Sequence, residues 1–255
     1  MRNYIETKIN ITKNQFEDDI CILNYDDKIL RELGERLTNQ VFYFSSTNYL
    51  ASGIYLENDS IIYSYENQKT TVCKVDELKI FGKHNYENVM AAIAIALYTE
   101  VPMNIIRSAI KEFVGVEHRI EYVATKNGIK YYNDSKGTNP EASMKAVESM
   151  QTPTILIAGG YDKGSDYDEW IKSFGDKIKC LVLLGETKDK IAAVAKDNGF
   201  TNIIMVDTLE EAVSVSSRKA REGDSILLSP ACASWGMFKN YEERGVLFKE
   251  SVHKL

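Results

Sequence analysis

The chain has 255 residues, 44% hydrophobic and 27% charged, a balance that suits one large or two ordinary folded domains and excludes a disordered polymer. A formal net charge of −6 argues against a general nucleic-acid binder, although local lysines leave room for an anionic small substrate. The apolar runs are too short for a membrane span, no signal-peptide pattern opens the chain, and the cysteines at 21, 73, 180 and 232 lack metal or CxxC spacing; together these read as reduced thiols in a cytoplasmic protein with no membrane partner.

In chain order, Ile20 to Asn24 reads as a short buried strand, followed by Asp26-Asp27 and a helical stretch to about Leu37. Val41 to Phe44 is a further apolar run. Ile54-Tyr55-Leu56, Ile61-Ile62-Tyr63 and Thr71-Val72-Cys73 are β-type runs separated by Asn58-Asp59 and Asn67-Gln68, the pattern of an antiparallel meander. A buried helix is expected from about Asn85 to Thr99 and another from Met103 to Phe113. Gly115 to Arg119 looks like a boundary, dividing the chain into 1–116 and 117–255.

Beyond it, strands at Ile120–Val123, Lys130–Asn133, Thr154–Ala158, Cys180–Leu184, Asn202–Val206 and Ser225–Leu228 alternate with helices. Among these are Pro140–Met150, with Asn139 as N-cap and Pro140 in the first turn, and a last helix from about Asn240 to His253. Such alternation implies a mostly parallel α/β sheet covered on both faces.

Chemistry is expected where polar and glycine residues meet strand ends and helix starts. Asp134-Ser135-Lys136 follows a strand and precedes a helix N-terminus, a setting suited to phosphate, with Asp134 either binding a ribose hydroxyl or orienting the lysine. An ordinary turn of capping residues is the plainer account. Gly159-Gly160 lets backbone approach a ligand closely, with Lys163 projecting from the same loop. Ser229-Pro-Ala-Cys-Ala-Ser-Trp235 runs on to Arg244-Gly245; Ser234 offers a hydroxyl, and Tyr241 opens a helix whose dipole favours an anion. Cys232 has no histidine placed near it in sequence and is not read as a nucleophile. Asn85 and Asn88 share a helix face, and Asn85 could equally cap that helix. The three histidines, 84, 118 and 253, make no metal set.

Four strings, Gly82-Lys-His-Asn-Tyr-Glu-Asn88, Asn133-Asp-Ser-Lys-Gly-Thr-Asn139, Gly159-Gly-Tyr-Asp-Lys-Gly164 and Ser229 to Gly245, together resemble the Mur ligases of bacterial cell-wall synthesis, in the form that adds D-glutamate. The resemblance implies the C-terminal part of an ATPase domain over 1–116 and a complete Rossmann-like domain over 117–255. It implies ATP and Mg²⁺ as cofactors, and UDP-N-acetylmuramoyl-L-alanine and D-glutamate as substrates of an ADP-forming amide ligase. The full-length protein would be a monomer.

It also assigns roles. Asn85 and Asn88 would contact the adenine end of ATP, and Arg119, Asp134 and Lys136 its remaining parts, with the domains closing over the nucleotide. Thr138, Lys163, Ser234 and Tyr241 would hold D-glutamate. Lys8, in Tyr4-Ile5-Glu6-Thr7-Lys8, matches the family's carbamylated lysine, a carboxylate-like metal ligand that neutralises charge in phosphoryl transfer. Lys8 and Lys136 are the catalytic candidates.

Departures from the family pattern are Gly137 for alanine, Gly236 for aspartate and Tyr241 for phenylalanine. No Gly-x-x-x-x-Gly-Lys-Ser/Thr string is present, since Gly82-Lys83 is followed by His84. By the resemblance, that loop, further metal ligands and a uridine-nucleotide domain would precede residue 1, leaving this chain inactive alone. The rival readings are another Mur or folylpolyglutamate-type ligase, and a binding protein derived from a ligase remnant.

Overall fold

The computed structural model describes residues 2–66 and 68–255; Asn67 of the expected Asn67-Gln68 turn lies outside the described residues, as do the side chains of Arg2 and Tyr4. Two compact units are present, Met1–Val114 and Gly115–Leu255.

The first unit opens with helix α1 (Arg2–Ile9), then β1 (Ile20–Asn24), α2 (Lys28–Gly34), β2 (Gln40–Ser45), β3 (Gly53–Glu57), β4 (Ser60–Tyr65), β5 (Gln68–Lys74), α3 (Lys83–Tyr98) and α4 (Met103–Glu112). Its sheet runs β1-β2-β3-β4-β5. The first three strands are parallel, and β3, β4 and β5 form the antiparallel meander. Period-two alternation sends Ile54, Ile61, Phe42 and Phe44 to one face, where α3 supplies Val89, Met90, Ile93 and Ala94. Tyr55, Ile62 and Leu50 pack on the other face beside Tyr25 and Tyr43. Two expected boundaries move. The helix after Asp27 stops at Gly34 rather than near Leu37, and α3 begins two residues before Asn85.

The second unit contains β6 (Glu121–Lys126), β7 (Ile129–Asn133), α5 (Pro140–Ser149), β8 (Thr154–Ala158), α6 (Asp168–Lys172), β9 (Ile178–Leu183), α7 (Lys188–Asp197), β10 (Ile203–Met205), α8 (Leu209–Lys219), β11 (Ser225–Leu228) and α9 (Tyr241–His253). The sheet order is β10-β9-β8-β11-β7-β6, parallel except for β6, which folds back on β7 as a hairpin. One face meets α8 and α9 through Leu209, Ala212, Val213, Phe248 and Val252. The alternate residues Leu156, Leu181, Leu183 and Leu227 are buried as well, so both faces are covered and the short strands carry apolar residues throughout. β11, last in sequence, is inserted between β7 and β8. The loops leaving the carboxyl ends of β7, β8 and β11 therefore emerge side by side, the usual place for a ligand in an open parallel sheet. Among the described residues no helix is long and apolar enough to cross a membrane.

Candidate functional site

The loop after β7 carries Asp134, Lys136 and Thr138. Asp134 is buried, and its carboxylate accepts from Ser229 Oγ at 2.6 Å and from the Ile120 backbone N–H at 3.3 Å. It fastens neighbouring loops, with Ser229 and Ile120 as the partners of its carboxylate. Burial raises its pKa to about 7, against the lowering effect of those hydrogen bonds and of Arg119 and Arg244. Gly137 matters more than the loosened turn its sequence suggests: a Cβ there would lie 2.4 Å from Asp134 Oδ2 and 2.9 Å from Ser229 Oγ.

Lys136 is half-buried, with its Nζ 5.3 Å from the centre of the Tyr241 ring. Tyr241 is the first residue of α9, after the N-cap Asn240, whose side chain accepts from Glu243 N. The dipole end expected there is present, and the lysine ammonium stands over the ring that begins it. Thr138 is half-buried in the same loop, which ends at Asn139 capping α5 through the Ala142 N–H at 2.8 Å.

Arg119 is exposed, between two residues forced into left-handed backbone: His118 at φ 64° and Ile120 at φ 46°. A β-branched residue rarely adopts that conformation, so strain is held in this segment. The surroundings enforce it. Lys136 N donates to His118 O at 3.0 Å, His118 Nδ1 lies 3.0 Å from Asn133 Nδ2, and Asp134 holds Ile120 N. Gly245 of α9 leaves room for the imidazole, since a Cβ there would sit 2.2 Å from Nδ1. Arg119 and Lys136 thus come from adjoining, mutually bonded segments. Glu117, His118 and Glu121 are close enough to suggest a cation site, but Lys249 pairs with both glutamates and supplies the positive charge itself.

Lys163 is exposed on the loop after β8. The two glycines at the start of that loop are required by their surroundings. At Gly159, φ 107°, a Cβ would lie 2.1 Å from Leu184 O; at Gly160, φ 151°, it would lie 2.4 Å from Ala233 O. Tyr161 forms an isolated bridge with Ala233, its N–H donating to Ala233 O at 3.0 Å, and the exposed Trp235 ring meets the Tyr161 ring edge-on at 5.6 Å. Ser234, buried, is the next residue of that segment. The structure therefore brings together in the second unit the loops carrying Arg119, Asp134, Lys136, Thr138, Lys163, Ser234 and Tyr241.

Lys8, Asn85 and Asn88 lie in the first unit. Lys8 is exposed in the last turn of α1. Asn85 does not cap α3: the N-cap is Gly82, and Asn85 Nδ2 donates back to Phe81 O at 2.8 Å. Asn88, one turn on, is exposed.

Several further groups have no role that the sequence assigns. Arg244 is 2% exposed and donates to Ser135 Oγ, Ser135 O and Cys232 O at 2.9, 2.7 and 3.2 Å. This ties the loop after β7 to the one after β11, and burial lowers its pKa to about 10. Ser143 joins the same buried network, taking a hydrogen bond from Trp170 Nε1 at 3.0 Å, with Ser229 Oγ 2.9 Å away. In the first unit, Asp26 accepts from Ser45 Oγ, Ser46 N, Thr47 Oγ1 and Asn48 Nδ2 at 2.5–2.8 Å. Burial would raise its pKa, but these donors hold it well below the usual carboxylate range. In the sequence Arg244 stands only at the end of the Ser229–Gly245 string, with no sign of its burial, and Asp26 reads merely as a turn residue.

Comparison with known proteins follows the division into units. The family model described as the Mur ligase middle domain matches residues 1–96, and that described as the Mur ligase glutamate ligase domain matches residues 118–232. The UDP-N-acetylmuramoylalanine–D-glutamate ligase of Lachnoclostridium phytofermentans is 58% identical over 255 residues, covering 100% of this chain and 56% of its own length. That of Clostridioides difficile is 46% identical, with 100% and 56% covered. The chain thus spans a little over half the length of these curated relatives. Among solved structures, the UDP-N-acetylmuramate–alanine ligase MurC of Thermotoga maritima matches with TM-score 0.67 and 17% identity over 99% of this chain and 55% of that one. The MurF ligase of the same organism, in complex with ADP, gives 0.65 and 17% over 99% and 58%. At such identities these two speak for the fold, whereas the closer relatives and the paired domain matches speak for descent, and by them the chain belongs to the Mur ligase family.

Proposed function

We propose that this chain is the distal part of an ATP-dependent ligase that joins D-glutamate to UDP-N-acetylmuramoyl-L-alanine during peptidoglycan precursor synthesis in the cytoplasm. The observation that carries the reading is the convergence of three loops, after β7, β8 and β11, that bring Thr138, Lys163 and Ser234 to the carboxyl edge of one parallel sheet, beside Tyr241 at a helix N-terminus. Such a place supplies what an amino acid with two carboxylates needs: an ammonium, hydroxyls and the positive end of a helix dipole.

Lys163 pairs with one carboxylate of D-glutamate, and Thr138, Ser234 and the amides near Tyr241 receive the other. Lys136, Arg119, Asn85 and Asn88 belong to ATP, the two cations facing its phosphates. Asp134 serves the nucleotide side by holding Ile120, and so the segment that aims Arg119. Lys8, if carbamylated, would be a carboxylate-type ligand for Mg²⁺, which would neutralise phosphate charge. In the reaction, an oxygen of the alanyl carboxylate takes the γ-phosphoryl group of ATP as the bond from that phosphorus to the β-phosphate oxygen breaks, and ADP leaves. The D-glutamate amine attacks the acyl phosphate, the C–N bond forms as the C–O bond to phosphate breaks, and the amine loses its proton. Positioning and charge stabilisation provide most of the acceleration.

The test is phosphate release from ATP in the presence of UDP-N-acetylmuramoyl-L-alanine and each of several amino acids. The assay uses this chain extended to the length of its curated relatives. D-glutamate should be the preferred acceptor. Preference for a different amino acid, or nucleotide binding without turnover, would replace this reading with one of its rivals.

A further inference from the structure

The loop that carries Lys163 is held by a residue outside every string discussed so far. Thr187 lies between β9 and α7 and is 1% exposed. It occupies the N-cap position of α7, where a threonine hydroxyl ordinarily accepts from its own helix, yet it makes no such side-chain bond. Its polar atoms go to Gly160 instead. Gly160 N–H donates to Thr187 Oγ1 at 3.1 Å, and Thr187 N–H donates to Gly160 O at 3.1 Å. One residue therefore satisfies both backbone groups of the glycine. The hydroxyl also lies 3.2 Å from Gly160 O and 3.3 Å from Cys232 Sγ, which in turn is 3.1 Å from the Tyr167 hydroxyl. Cys232 and Tyr167 are each 1% exposed, and burial pushes the Cys232 thiol up, so it acts here as a neutral hydrogen-bonding group.

The remaining sides of Gly160 are closed. Gly159 N–H is held by Pro230 O at 2.9 Å and Tyr161 N–H by Ala233 O, while a Cβ on Gly185 would reach within 2.8 Å of Gly160 Cα. Gly160 is thus clamped between the loop after β9 and the one after β11, three residues before Lys163. From Lys163 onward the loop is exposed or half-exposed until Tyr167.

We propose that Thr187 is a positioning residue for the amino-acid side of this site: by fixing Gly160 it sets where the Lys163 ammonium stands relative to Ser234. The proposal rests on the assignment of Lys163 to D-glutamate made above. The clamp itself does not, and the two are tested separately.

In the 255-residue chain, amide hydrogen exchange followed by NMR should find Gly160 N–H far slower than Lys163 N–H. Thr187→Val, which removes the hydroxyl and keeps the backbone bond, should speed Gly160 exchange about tenfold, the loss expected for one hydrogen bond. Thr187→Ser should restore it. Equal rates at Gly160 and Lys163 in the unaltered chain overturn the clamp, a result that needs no variant to fold. In the ligase at the full length of its relatives, Thr187→Val should raise the D-glutamate KM about tenfold and leave the ATP KM within about twofold, and Thr187→Ser should behave as the parent. A D-glutamate KM that stays put, or one that rises in step with the ATP KM, overturns the positioning role. If the unaltered ligase ignores D-glutamate, the substrate assignment fails and the role with it, whatever the exchange rates say about the clamp.

Discussion

Asp134 sits where ionisation is unfavourable, sealed from water with one serine hydroxyl and one backbone N–H for company. Because its folded pKa, about 7, lies above the unfolded carboxylate value, the native state binds the extra proton between about pH 4 and pH 7. Its contribution to stability is complete below that window and is lost as the pH rises through it. Asp134→Asn should therefore flatten the dependence of stability on pH across this range, as followed by urea denaturation at several pH values. An unchanged slope would show that another group titrates there. On the proposed assignment, Lys163→Ala in the protein at the full length of its relatives would remove a charge-assisted contact worth about 1.5–3 kcal/mol and should raise the D-glutamate KM at least tenfold, well above any effect on ATP. Equal effects on both substrates would sink the assignment. At this scale the sequence was a partial guide. Lys136, Lys163 and Tyr241 are legible because glycines and caps beside them announce loop and helix starts. Thr187 is not, and Arg244 is visible only at the end of a string with its ties to Ser135 and Cys232 hidden, since what they do depends on loops far apart in the chain and meeting only in the folded sheet.

Elements tell a clearer story, because period and capping are local. The strands Ile20–Asn24, Thr154–Ala158 and Ser225–Leu228 fall where their apolar runs predict, as does α5 with its Asn139-Pro140 start. Asn139→Ala should remove the bond to Ala142 N–H and lower stability by about 1 kcal/mol, measured by chemical denaturation. What misled was backbone outside the common regions. Ile120 reads as the first residue of a strand, yet it takes φ 46° and β6 begins only at Glu121, because Asp134 and the neighbouring His118 anchor the turn. A sequence pattern has no term for a side chain that imposes strain from fourteen residues away. The same closeness makes Gly159 unforgiving: Gly159→Ala would bring a methyl against Leu184 O at a left-handed φ and should cost at least about 1–3 kcal/mol. A melting temperature equal to the parent's would contradict the packing described for that turn.

For the molecule as a whole, each unit has its own buried core on its own sheet. Residues Gly115–Leu255 expressed alone should fold, giving a cooperative melt by circular dichroism; a non-cooperative trace would count against them as an independent domain. If the proposed function holds, turnover by the 255-residue chain is expected to be negligible beside that of a chain extended to the length of its curated relatives. The shorter chain holds no Gly-x-x-x-x-Gly-Lys-Ser/Thr string to cradle the β- and γ-phosphates, and losing one charge-stabilising group in phosphoryl transfer can cost about 10³-fold. Comparable rates would refute this.

The placement of the tryptophans has a practical consequence for separating these events. The chain has two, Trp170 and Trp235, and both belong to the second unit. One is fully buried with its indole N–H donated to Ser143, and the other is 57% exposed against Tyr161. Excitation selective for indole therefore sees the second unit alone, leaving the tyrosine-rich first unit dark. Within that signal, a collisional quencher such as iodide should silence Trp235 and spare Trp170. The residual, blue-shifted emission then follows the sheet's integrity, while the quenchable, red-shifted part follows the rim beside Lys163 and Ser234, giving two optical channels from one unlabelled protein.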